Sequence, residues 1–148
     1  MMDTKENKSS FQFTRPILKE AIFLSNETHL SEGELTFKFE VNAEEPQNSE
    51  ENNKQYAKVF LTVSNFDFLP ENQENIEEPY FLRVTMGATF TWFKDSPYDV
   101  DNLLKINAPS LLLSYIRPVI TDLTGLSEYN EEFIPFIDFS ANNKKDTL

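Results

Sequence analysis

Apolar residues recur at two different periods along this chain, and the change of period separates a strand-forming part from a helix-forming part. The clearest run is Tyr80, Leu82, Val84, Met86, Ala88, Phe90 and Trp92, which take every second position while Arg83, Thr85, Thr89 and Thr91 fall between them. Seven matches to a two-residue period predict a strand with one buried face. Leu35, Phe37, Phe39 and Val41 alternate in the same way with Thr36, Lys38 and Glu40, as do Ala57, Val59, Leu61 and Val63 further on, so both segments read as half-buried strands. The stretch Phe11 to Leu24 is rich in Phe, Ile and Leu, but its apolar parity changes around Pro16. An edge strand with a bulge at that point has this pattern.

After Asp95 the period lengthens. Leu112, Tyr115, Ile116, Val119, Ile120 and Leu123 stand at i, i+3, i+4, i+7, i+8 and i+11, one face of an α-helix of about four to five turns. Asn107 can cap its start, Pro109 suits its first turn, and Gly125 can end it. Pro118 lies inside it and removes a hydrogen bond. Residues 44–54 and 70–79, rich in charge, Pro and Asn, read as solvated hairpin loops. The predicted fold is α+β: a four-stranded antiparallel sheet with one long C-terminal helix on one face, then a short apolar segment, Phe133 to Phe139. Residues 11–140 form a single domain between polar tails at 1–10 and 141–148. Trp92 and Tyr115 are assigned to its core.

Charge removes several function classes. With 25 acidic residues against 13 basic ones the net charge is −12, which repels phosphate backbones and anionic headgroups, so no nucleic acid is expected as a partner. No stretch approaches 18 apolar residues, and the opening MMDTKENKSSFQF lacks a basic region followed by an apolar one. No export signal and no membrane insertion are expected, and a cytoplasmic location fits. The lack of cysteine rules out disulfides, thiolate metal sites and cysteine nucleophiles.

The chemistry-bearing residues do not assemble into a catalytic set. His29 is the single histidine and sits in a polar turn, so no imidazole pair can form within one chain. Gly33, Gly87 and Gly125 are too scattered for a phosphate-cradling loop. Asp95, Asp99 and Asp101 resemble the start of a calcium loop without its glycine and closing glutamate, and a helix lead-in accounts for them. No paired carboxylates are embedded in an apolar segment that would shift their pKa. The chain is therefore expected to be no enzyme, with no catalytic residue, metal or cofactor, and to bind other proteins through apolar surface.

Four segments, in order, carry a family resemblance. FQFTRPILKEAIF, with Phe11, Gln12, Arg15, Lys19 and Phe23, is close to the opening strand of the SecB export chaperones, and Glu20 stands where that family usually has an acid. PYFLRVTMGATF, through Gly87 and Phe90, is similar to the family's fourth strand. NAPSLLLSYIRPVITDL resembles its Asn-x-Pro…Tyr-x-Arg helix through Asn107, Pro109, Leu112, Tyr115 and Arg117, and IPFIDF resembles its closing motif through Pro135, Ile137, Asp138 and Phe139. The resemblance spans residues 11 to 139, and its helix and closing motif are the most specific part.

The resemblance implies a homo-tetramer, a dimer of dimers, that acts as an ATP-independent holdase, binding unfolded or precursor polypeptides in apolar grooves and delivering them to the SecA motor for export. Phe81, Phe93, Phe133 and Phe136 are the client-binding candidates, being off the main core stripe or in the tail, and Glu20 is the candidate for partner docking. Two departures bear on this. The family's second helix is short or absent here, where only SANNKKDTL remains, and Leu24 and Arg83 occupy positions where acids of the motor-docking patch would stand. A SecB-like chaperone or adaptor dedicated to one partner, as in toxin and antitoxin control, is the alternative, followed by a small-ligand-binding α+β domain.

Overall fold

The computed structural model describes residues 3, 10–27, 35–50, 53–67 and 78–141. His29, Gly33, residues 70–77 and residues 142–148 lie outside them, as does most of the segment 1–10. The elements are β1 (Gln12–Phe13), β2 (Ile17–Ser25), β3 (Lys38–Ala43), β4 (Gln47–Asn48), β5 (Lys54–Ser64), β6 (Tyr80–Phe93), a helical turn α1 (Val100–Asn102), a π-helical turn Leu103–Asn107 and α2 (Ala108–Gly125).

The six strands form one antiparallel sheet along four strand lines. β6 is flanked by β1 and β2 on one side and by β5 on the other, and β5 pairs in turn with β3 and β4. The predicted four strands thus become six because the first and second are interrupted. In the first, Phe13 pairs with Phe90 and Ile17 with Gly87, so residues 14–16 oppose only 88 and 89. The bulge predicted at Pro16 is present, since proline has no N–H to give to the ladder. In the second, pairing resumes at Gln47 with Tyr56 and Asn48 with Gln55. The hairpin loop expected over 44–54 is accordingly tighter: Tyr56 donates its hydroxyl to Gln47, Gln55 donates to Asn48, and Asn53 turns the chain at φ 69°, a left-handed conformation that asparagine tolerates.

Alternation along β5 and β6 sorts their side chains onto two faces. Ala57, Val59, Leu61 and Val63 join Tyr80, Leu82, Val84, Met86, Ala88, Phe90 and Trp92 in a core closed by Leu112, Leu113, Ile116 and Ile120 of α2. The opposite face, bearing Lys58, Phe60, Thr62, Arg83, Thr85 and Thr89, has no helix over it among the described residues; its centre is tied by a 2.7 Å hydrogen bond between the Thr62 and Thr85 hydroxyls. At the start of β6, Asn65 is buried and donates to the Tyr80 carbonyl while accepting from the Leu82 N–H. Asn26, also buried, donates to the Glu78 carbonyl.

Two helix expectations need correction. Helical structure begins at Val100, not after Asn107, and Asn107 makes no side-chain capping bond. Its backbone N–H lies inside a continuous helical path through the π turn, where a cap has nothing to satisfy. The cap is Asp99, whose carboxylate accepts from the Asp101 N–H, so of the three aspartates Asp99 serves as the lead-in, while Asp101 lies inside the turn and pairs with Lys105. Tyr115 is not in the core: it is 41% exposed, on the flank of α2, with its ring edge-on to Phe13 at 6.4 Å. Its place in the i+3 series puts it at the margin of the buried stripe, where a tyrosine keeps its polar tip in water.

Candidate client-binding surface

α2 ends at Gly125, and the chain then runs back along the helix through residues 126–139 without forming a second helix. Polar groups on α2 hold this return segment. Arg117 donates from Nε to the Ile134 carbonyl at 2.7 Å, Thr121 donates to the Glu132 carbonyl at 3.0 Å, and the Thr124 hydroxyl accepts from the Glu132 N–H at 2.8 Å. Backbone groups of an irregular segment packed on protein need such partners. Ile134 and Phe139 are the apolar anchors: both are buried, and the Phe139 ring meets Phe39 of β3 edge-on at 6.4 Å.

Between these anchors the segment turns its other rings outward. Phe133 is 68% exposed and Phe136 is 82% exposed. The Arg117 guanidinium lies 4.4 Å from the centroid of the Phe136 ring, within cation–π range, so one arginine fixes both the backbone and the ring of the same segment. A groove of about 300 Å³ runs between helix and segment, lined by Ser114, Arg117, Pro118, Thr121, Phe133 and Ile134. Pro118 cannot donate a backbone hydrogen bond, and its exposed ring adds an apolar patch to the groove wall.

The structure does not gather all four client-binding candidates into this surface. Phe81 and Phe93 lie on the uncovered sheet face, at opposite ends of β6 and about 40 Å apart along the strand at 3.3 Å per residue. Phe93 is half exposed beneath the Lys54 ammonium. Phe81 is covered, at 2% exposure, by the edge-on ring of Phe66, so it offers a client nothing in this conformation. Its odd position in β6 takes it off the helix-covered stripe, but leaving that stripe exposes a side chain only where the other face is bare. Sequence reasoning missed Arg117 as the clamp of the return segment. The available signal was a cation on the flank of α2, where charge cannot face the core.

Glu20 pairs with Arg83 across the β2–β6 register, through a charge-assisted hydrogen bond from the Arg83 Nε. No helix is long and apolar enough to cross a membrane among the described residues.

No family model matches the sequence, and no curated protein matches it. Solved structures do. The SecB-like chaperone Rv1957 of Mycobacterium tuberculosis, in complex with a ChAD peptide from the HigA1 antitoxin, matches with a TM-score of 0.54 at 14% identity, over 87% of this chain and 88% of that one. The fold is SecB-like. A protein of unknown function from Streptococcus agalactiae is similar at a TM-score of 0.58 and 11% identity, over 85% of this chain and 97% of that one. The α+β architecture predicted from periodicity, an antiparallel sheet with one long C-terminal helix, is the observed one.

Proposed function

We propose that this SecB-like chain is an ATP-independent chaperone that holds extended, incompletely folded polypeptides, and that it is not an enzyme. The observation that carries the reading is the groove along α2, with Phe133 and Phe136 turned outward on a segment clamped by Arg117. A surface that accepts many sequences needs apolar rings on a rigid support more than directed polar contacts. The fold likeness to a chaperone captured with a bound peptide supports the same reading.

Further apolar side chains are exposed along the β1–β2 edge, including Phe13, Leu18 and Leu24. We assign them to contacts between copies in a tetramer, which would set several grooves on one particle. Later contacts of a client are then intramolecular, and many weak sites give high avidity without ATP. Client folding competes by mass action.

Delivery to an export motor has less support than client holding. The Glu20 carboxylate is paired with Arg83, which leaves little free charge for a basic docking segment. Service to one dedicated partner is therefore the second reading, favoured by the antitoxin peptide on the structural neighbour. A small-ligand pocket has no place on the apolar face of the sheet, because α2 fills it and its polar side-chain groups on β6 are only the Tyr80 hydroxyl and the Trp92 indole N–H, which is taken up by Gln55.

The test is native mass by light scattering with and without a permanently unfolded client, together with aggregation of a slow-folding enzyme. A tetramer that takes up client and delays aggregation at stoichiometric amounts is expected. A client-blind monomer overturns the proposal, and capture of one partner but no other client selects the dedicated reading.

A further inference from the structure

The uncovered face of the sheet carries a charge pattern at odds with the rest of the molecule. A hollow of about 290 Å³ opens there, where Arg15, Lys19 and Lys58 surround an apolar floor of Ile17, Phe60 and Gly87. In a chain of net charge −12 three cations around one hollow are out of keeping with their surroundings. Among the described residues, none of the three makes an ion pair. Acids stand close by: Glu20, engaged by Arg83, and Glu40 line an adjoining hollow that Lys19 and Phe60 share, and Glu44 bonds through its backbone to Lys58 without an ion pair between the two side chains.

The backbone is irregular where two of these cations are presented. The first bulge puts one extra residue into 14–16 opposite 88 and 89, and Arg15 lies inside it. The second makes Lys19 the extra residue between Leu18, paired with Met86, and Glu20, paired with Thr85. A bulge restarts the alternation one residue later: without the second one Glu20 would pair with Val84 and point toward the helix side, whereas with it Lys19 and Glu20 are both presented on the open face. The Lys19 ammonium stands 6.0 Å from the centroid of the Phe60 ring. Lys58 reaches the same hollow from β5 by plain alternation. Phe60 lies across Gly87, where any Cβ would collide with the ring, so glycine keeps the floor shallow and apolar.

We propose that this hollow binds a short acidic segment of a partner protein, one in which carboxylates flank an apolar side chain. Three cations of one sign match carboxylates, and the Phe60 and Ile17 floor matches the apolar residue between them; a free inorganic anion would leave that floor unused. The bulges interrupt the edge ladder, so the segment docks on the face and does not add a strand. The site lies on the other side of the sheet from the groove along α2, and it stands or falls independently of client holding.

The test is fluorescence anisotropy at low ionic strength, with a short labelled peptide alternating Glu and Leu and its Gln-for-Glu counterpart, against the wild type, Lys19→Glu and Lys58→Glu. Saturable binding of the Glu peptide is expected, about tenfold or more weaker for the Gln peptide and for each charge reversal. Both variants should protect a client from aggregation as the wild type does. No binding of the Glu peptide, equal binding of the two peptides, or binding unchanged by both reversals overturns the proposal. So does association with phosphatidylglycerol vesicles in place of the peptide, which would mark the cations as a membrane contact.

Discussion

Gly87 lies directly beneath the Phe60 ring, and a Cβ on residue 87 would stand 2.3 Å from the Phe60 Cδ1. The ring must leave its place for any side chain to fit, and overpacking of this kind costs about 1–3 kcal/mol. Gly87→Ala should therefore lower the urea midpoint. In a Phe60→Ala background the obstacle is gone, and the same substitution should be neutral or gain about 0.5–1 kcal/mol from reduced backbone freedom of the unfolded chain. A double-mutant cycle in urea checks this; equal costs in both backgrounds would show that the ring is not what constrains residue 87.

Asn65 ties the chain just after β5 to the start of β6 by two hydrogen bonds with backbone groups, in a buried position. Asn65→Ala leaves a carbonyl and an N–H without partners, and each such group costs about 1–3 kcal/mol. A loss of about 2–4 kcal/mol is expected by urea unfolding. Hydrogen exchange should quicken first at the Leu82 amide, which loses its acceptor.

Tyr80 has the opposite defect. Among the described residues its buried hydroxyl has no hydrogen-bond partner, and burial, followed by the charge of Glu132, pushes its pKa up to about 12 from 10.0. The folded state thus favours the neutral phenol. This contribution to stability is intact below pH 10 and is lost as pH rises from 10 through about 12. Two pKa units correspond to about 3 kcal/mol. Tyr80→Phe should be neutral or slightly stabilising at pH 7, since a hydroxyl with no partner is removed. Above pH 10 its stability should fall less steeply than that of the wild type, and parallel urea curves for the two proteins between pH 9 and 12 would refute the assignment.

Strand and helix identity were legible because burial imposes a period: β6 and α2 each cover one face, and their apolar residues repeat at two and at about 3.6 residues. The bulge at Pro16 was legible for a local reason, the missing N–H. The second bulge was not, because Lys19 makes no break in composition and its effect is a shift of pairing with a strand more than sixty residues away. The burial of Phe81 was hidden for a similar reason. Alternation told which face it takes, but its cover, Phe66, comes from the chain leaving β5. Of the candidate surface, the exposure of Phe133 and Phe136 followed from their position after the helix, whereas the Arg117 clamp depends on the path of the return segment.

That clamp separates two roles that a single substitution would confuse. Phe133 and Phe136 are largely exposed, so truncating both to alanine removes little buried area, and stability should stay within about 0.5 kcal/mol of the wild type. Protection of an aggregating client should nevertheless fall several-fold, because the rings are the apolar part of the groove that projects outward. Arg117→Ala acts differently. It frees the Ile134 carbonyl of a charge-assisted bond worth about 1.5–3 kcal/mol and releases the Phe136 ring, so the return segment should become protease-sensitive while both rings are still present. Arg117→Lys keeps the charge but not the planar group that donates and stacks at once, and it should restore the protease resistance only in part. If the double phenylalanine variant held clients as well as the wild type, the outward rings would be bystanders and the groove along α2 would have to be given up as the binding surface.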